Sequence, residues 1–136
     1  MVVYSSSKYG LTKRSSYISC IKQPSSPIDS DMSPVLGITF ARAEKMSPYF
    51  LDAVFDAFKD VPAVTDIRGD GMMAAIDLAI DKTPGVRGYD AQKKTFANGV
   101  HIKFTGDCGI IAPALIAEEK HIDEMIQKIK EVVVKY

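Results

Sequence analysis

The sequence predicts an α+β domain, a small antiparallel-type sheet with helices on one face. Three observations carry that expectation. Ile122, Met125, Ile126, Ile129, Val132 and Val133 recur at helical spacing near the end of the chain, the stripe of an amphipathic helix. Four short extended segments, 63–68, 72–80, 100–105 and 110–116, fall into two pairs joined by glycine turns, at Gly69-Asp70-Gly71 and Gly106-Asp107. Links that short make each pair antiparallel. Helical stretches precede, separate and follow the pairs, so the order is helix, strand, strand, helix, strand, strand, helix.

The chain has 136 residues, 46% of them hydrophobic, and 17 acidic against 17 basic side chains. That length suits one domain with a core of its own. Zero net charge argues against nucleic acid as a partner. No apolar run approaches the roughly 18 residues of a membrane helix. Cys20 and Cys108 form no disulfide framework, and with His101 and His121 they form no zinc pattern.

Residues 1–40 read as a Ser-rich, disordered extension. Ten serines and three prolines fall in the first 34 residues, with too little apolar surface to offset ordering entropy. No acid precedes Asp29, the composition of an organelle transit peptide, although arginine is scarce. A cytoplasmic location is expected, with a mitochondrial one as the weaker alternative.

Phe50, Leu51, Val54, Phe55 and Phe58 form the first helical stripe. Either Ser47-Pro48 opens that helix as cap and first residue, or residues 41–46 are helical too and Pro48 sits inside it. Asp60-Val61-Pro62 closes it. Val64, Thr65 and Ile67 favour extended structure. Met72, Ala74, Ile76, Leu78 and Ile80 share one side of the next strand at period two, opposite Asp77. Residues 81–88 are a loop and 89–97 a short helix ended by Asn98-Gly99. In the last strand Pro113 removes an amide and implies an edge or an irregular end.

Gly69-x-Gly71-x-x-Ala74, with Asp90 downstream, matches a dinucleotide fingerprint, but the strand–turn–helix setting it needs is missing. A turn between antiparallel strands explains the glycines. Cys108 with His101 as base is a possible nucleophile pair, against the reading of Cys108 as a small core residue. His121 reads as an exposed helix residue. Lys103, between Ile102 and Phe104 and ahead of the Gly106-Asp107 turn, is either a carboxylate-binding cation or an outward strand lysine.

Several patches together resemble one family. They are Arg42-Ala43-Glu44, Ser47-Pro48-Tyr49-Phe50, the run 64–78, Gly85-Val86-Arg87-Gly88-Tyr89, the run 99–107, Ala112-Pro113-Ala114-Leu115 and Ile122-Asp123. They look like the C-terminal small domain of class III pyridoxal-phosphate-dependent aminotransferases, in the ω-amino acid or β-alanine–pyruvate branch. The resemblance spans 41–136 and leaves out 1–40. It implies the C-terminal domain of a fold-type I enzyme, present as a fragment. The family's cofactor lysine, ring-nitrogen carboxylate and phosphate loop belong to a large domain whose motifs this sequence lacks.

Pyridoxal 5′-phosphate is therefore expected in the intact enzyme and no cofactor for this chain alone. No catalytic, cofactor-binding or metal-binding residue is expected here. The expected partners are the missing large domain or a homodimer mate, with an amino acid or amine and a keto acid such as pyruvate as substrates. In this branch an arginine ahead of the Gly-Asp turn grips the substrate carboxylate, and Lys103 stands at that position. Lysine offers a point charge where arginine offers a two-pronged fork. The alternative is a non-catalytic interaction or dimerisation module, or a gene remnant. A small domain without its large domain exposes apolar surface and is expected to self-associate.

Overall fold

The computed structural model describes the backbone of residues 3–7, 10–14 and 33–136, and side chains from residue 37 onward. In chain order the elements are β1 (Val3–Ser7), β2 (Gly10–Arg14), α1 (Ser33–Phe58), β3 (Val64–Asp70), β4 (Met73–Leu78), α2 (Val86–Ala97), β5 (Lys103–Thr105), β6 (Cys108–Ile111) and α3 (Glu119–Val133). The strands form one antiparallel sheet in the order β2-β1-β3-β4-β6-β5. From α1 onward the element order and both antiparallel pairs match the sequence expectation.

Part of the expectation for residues 1–40 falls on positions outside those described. Within that stretch the structure adds the β1–β2 hairpin, which meets β3 through Tyr4↔Gly69 and Ser5↔Arg68. It also starts α1 at Ser33.

Of the two openings for the first helix, the longer one holds, with Pro48 inside α1. Ser47 is thus no cap. Its hydroxyl instead donates to the Gly71 carbonyl at 2.9 Å, tying α1 to the β3–β4 turn. β4 stops at Leu78, and Ile80 lies beyond it, 62% exposed rather than on the buried side. α2 starts three residues earlier than the sequence suggests, directly after Gly85, whose φ of 84° glycine tolerates. β5 and β6 are shorter than expected. The Val100 amide closes the end of α2 on the Thr95 carbonyl at 3.0 Å, which keeps 100–102 out of the sheet. Pairing on β6 ends at Ile111, before Pro113.

Period two sorts the sheet into two faces. Ile67, Ala74, Ile76, Leu78, Phe104 and Ile111 are buried beneath the helices, with α1 over β3 and β4 and α2 over β5 and β6. α3 packs against α1 and α2 and delivers Ile122, Ile126, Ile129 and Val133 to a core shared with Phe50, Val54 and Phe58 of α1. The other face carries Asp66, Arg68, Asp77, Cys108, Lys103 and Thr105. No helix of the described residues is long and apolar enough to cross a membrane.

Two backbones meet without side chains between them. A Cβ on Gly88 would overlap the Gly106 carbonyl, so only glycine lets the start of α2 approach the β5–β6 turn. Gly88→Ala is expected to cost roughly 1–3 kcal/mol by forcing that contact apart. Urea unfolding should show a lower midpoint with an unchanged slope.

Candidate functional site

The site is built outward from the β5–β6 turn. Asp107, read in the sequence only as a turn residue, sends its carboxylate back to α2. Its two oxygens accept from the Gly85 amide at 2.7 Å and the Gly88 amide at 2.9 Å. These are free amides at a helix N-terminus, where a negative charge is also favoured by the helix dipole. The cap comes from about twenty residues away, so local sequence gave no sign of it.

This clamp fixes the strand that carries Lys103. Phe104 points inward, 9% exposed, with its ring against Gly109, where a Cβ would come within 2.8 Å. Lys103 and Thr105 must then point to the open face. The Phe104 amide donates to Gln92 Oε1 of α2 at 3.0 Å. A β-edge amide is thereby occupied by a side chain. Lys103 is exposed and forms no ion pair among the described residues. Its cross-strand partner is Ile110, followed in the same row by Ala75 and Arg68.

Arg68 is a second cation of this face among the residues with described side chains, and its charge is spent within the sheet. It donates to Asp66 Oδ2 at 3.0 Å and to both oxygens of Asp77, the NH2–Oδ1 bond being 3.1 Å. Its NH2 also reaches Cys108 Sγ at 3.2 Å. The Arg68 hydrogen bonds hold the Asp77 carboxyl below its ordinary range. Burial, then the neighbouring Asp77, pushes the Cys108 thiol up. That opposes a reactive thiolate.

The possible Cys108–His101 pair is not assembled. Cys108 pairs with Thr105 across the turn, whereas the exposed ring of His101 meets Phe96 edge-on, 6.0 Å between centroids. His121 is exposed, as expected, and also accepts from the Glu118 amide at 3.1 Å, closing a capping box on α3. The Gly69-Gly71 motif is a turn between antiparallel strands, and Asp90 is held by Lys94 at 2.6 Å and by the Tyr136 hydroxyl at 2.6 Å. That geometry leaves no strand–turn–helix for a dinucleotide. Among the described residues no group of His, Cys, Asp or Glu could hold a metal ion.

Beside the clamp lies an open cleft of about 680 Å³, lined by Thr65, Asp77, Pro84, Thr105, Asp107 and Cys108 among others. Thr65, Asp77, Cys108 and Asp107 are already engaged in the sheet and the cap, so it has the form of a supported wall rather than a reaction centre.

Comparison with known proteins bears out the likeness seen in the motifs. No family model matches the chain. An omega-aminotransferase of Caulobacter vibrioides is 35% identical over 96 residues, 68% of this chain but 21% of that protein. A leucine/methionine racemase of Thermococcus litoralis is 29% identical over 97 residues, 68% of this chain and 22% of that protein. A putrescine–pyruvate aminotransferase of Pseudomonas aeruginosa is 34% identical over 86 residues, 59% and 19% respectively. The chain thus spans about a fifth of the curated relatives it matches. Among solved structures, a thermostable omega transaminase from Pseudomonas jessenii superposes with a TM-score of 0.68 at 21% identity, over 75% of this chain and 24% of that one. That likeness is one of fold.

The Arg68–Asp77 pair makes stability depend on acid. Because the folded-state Asp77 carboxyl is depressed, its contribution is present above the ordinary carboxylate range and is lost as pH falls through the depressed value. Both side chains are partly exposed, so the effect is modest. Asp77→Asn is expected to flatten the acid side of a Tm-against-pH curve. An acid limb identical to that of the parent chain would exclude the pair as a source of this dependence.

Proposed function

We propose that this chain, similar over two-thirds of its length to ω-amino-acid aminotransferases, supplies the small-domain part of an enzyme that moves an amino group from an amine or ω-amino acid to a keto acid. One observation carries the reading: the exposed Lys103, without an ion-pair partner among the described residues, on an edge strand that Asp107 and Gln92 hold in place. A cation fixed by its backbone rather than by a salt bridge is suited to a ligand carboxylate. Pyruvate is the acceptor we favour. The Pseudomonas aeruginosa relative, a putrescine–pyruvate aminotransferase, supports that choice.

Pyridoxal 5′-phosphate, the cofactor of such enzymes, needs an amine for its aldehyde and donors for its phosphate. Two clefts of about 680 and 660 Å³ among the described residues are lined by no lysine or arginine. The residues present there do not fit the cofactor. In this reading the cofactor belongs to a large domain outside this chain, in the same cytoplasmic enzyme or its dimer mate, and the chain alone is inactive.

Two measurements test the proposal. The purified chain with pyridoxal 5′-phosphate, an amine and pyruvate should leave the cofactor's spectrum unchanged and form no alanine. Grafted in place of the matching fifth of the Caulobacter vibrioides enzyme, residues 41–136 should support turnover. In that chimera Lys103→Ala should raise KM for pyruvate roughly tenfold, the loss of one charge-assisted hydrogen bond, and Lys103→Arg should lower it. An active chimera whose KM ignores both substitutions would favour a non-catalytic interaction module.

A further inference from the structure

Two surfaces over opposite edges of the β3-β4-β6-β5 part of the sheet are uncovered by the described residues. At the β3–β4 end a groove of about 660 Å³ runs between α1 and the β3–β4 turn, a volume in the range of occupied binding pockets. Phe40, Pro48, Leu51, Met72 and Leu115 give it an apolar floor and wall, with Phe40 64% exposed. Its charged lining residues are Glu44 and Asp70, both acidic. At the β5–β6 end the outer side of α2 shows the opposite character. Val86, Tyr89 and Phe96 are 58%, 64% and 67% exposed. With Lys93 they fall at i, i+3, i+7 and i+10, one stripe of the helix. Lys93 Nζ lies 4.6 Å from the centre of the Tyr89 ring, so the positive charge rides on the apolar stripe.

We infer that the groove receives the outer stripe of α2 from a second copy of this chain, head to tail. Shape and charge agree. An apolar helical stripe bearing a lysine enters an apolar groove bearing two carboxylates, the helix-in-groove mode of recognition. Symmetric pairings are disfavoured by the same charges. Groove against groove would face Glu44 and Asp70 with their own copies, and α2 against α2 would face Lys93 with Lys93. The stripe and the groove lie over opposite edges of the β3-β4-β6-β5 part of the sheet, so one molecule can use both at once. Two different surfaces make the contact heterologous, and a chain of such contacts grows instead of closing as a dimer.

The test uses the full chain and three exposed substitutions, with circular dichroism to confirm that each variant keeps its fold. Sedimentation velocity of the parent chain, from micromolar to near-millimolar concentration, should show a mass that keeps rising past the dimer. Phe40→Asp, which spoils the groove, and Tyr89→Asp, which spoils the stripe, should each stay monomeric. Mixed in equal amounts they should form a species of twice the chain mass and nothing larger, since each retains one competent surface. Lys93→Glu should weaken association of the parent chain. The inference is overturned if the parent chain stays monomeric, if either of the two Asp variants assembles as the parent does, or if their mixture remains monomeric. An assembly that stops at the dimer in the parent chain overturns it as well, in favour of a symmetric contact. None of these outcomes depends on amino-group transfer.

Discussion

The rest of the domain depends on the carboxylate of Asp107 reaching two amides at the start of α2. A helix end has amides that no preceding turn can satisfy, and a buried amide without an acceptor is costly. Here the acceptor stands on the turn between the last two strands. One side chain therefore serves a helix and a hairpin at once. Gly88 makes the distance possible, because any side chain there would strike the Gly106 carbonyl. With the turn held against α2, Phe104 has one direction to point, and the exposed positions beside it follow from the pleat of the strand. The placement of Lys103 is thus inherited from a hydrogen bond made by another residue four positions later.

The two sheet faces solve different problems. The helix-covered face is sealed by aliphatic and aromatic side chains from α1 and α3. The open face places an arginine between two aspartates and a thiol. Such a cluster contributes modestly to stability in contact with water. It does consume the charge of Arg68, whereas Lys103 forms no ion pair among the described residues. The resemblance drawn from the sequence points to Lys103 through a motif, and the structure sets that residue on the open face beside Ile110.

Much of the fold was legible in the sequence because its signals are local. The α3 stripe repeats over three turns and is buried as read. The glycine turns at Gly71 and Gly106, with φ of 58° and 61°, announce both hairpins. What escaped sequence reasoning is long-range. Asp107 and Gly85 are 22 residues apart, and nothing near Gly85 shows that its cap will arrive from a later hairpin, so α2 appeared to start late. Ser47-Pro48 imitates a helix start, yet the serine serves the Gly71 carbonyl and the helix continues through the proline. Ile80 and Val100 carry strand-like side chains, yet β4 ends at Leu78 and the Val100 amide turns to the Thr95 carbonyl. Gln92 looked like one more polar helix residue and holds an edge amide instead.

The packing of α3 against α1 also orders events in time. The stripe of α1 is complete by Phe58, whereas the residues that cover it, Ile122, Ile126 and Ile129, come after the whole sheet. As the chain is synthesised, the side of α1 that α3 covers has no lid until α3 has left the ribosome. Hydrophobic surface exposed for that long is what chaperones and proteases recognise. The abundance of this protein in a cell would then be set as much by how quickly its last helix arrives as by how stable the finished domain is.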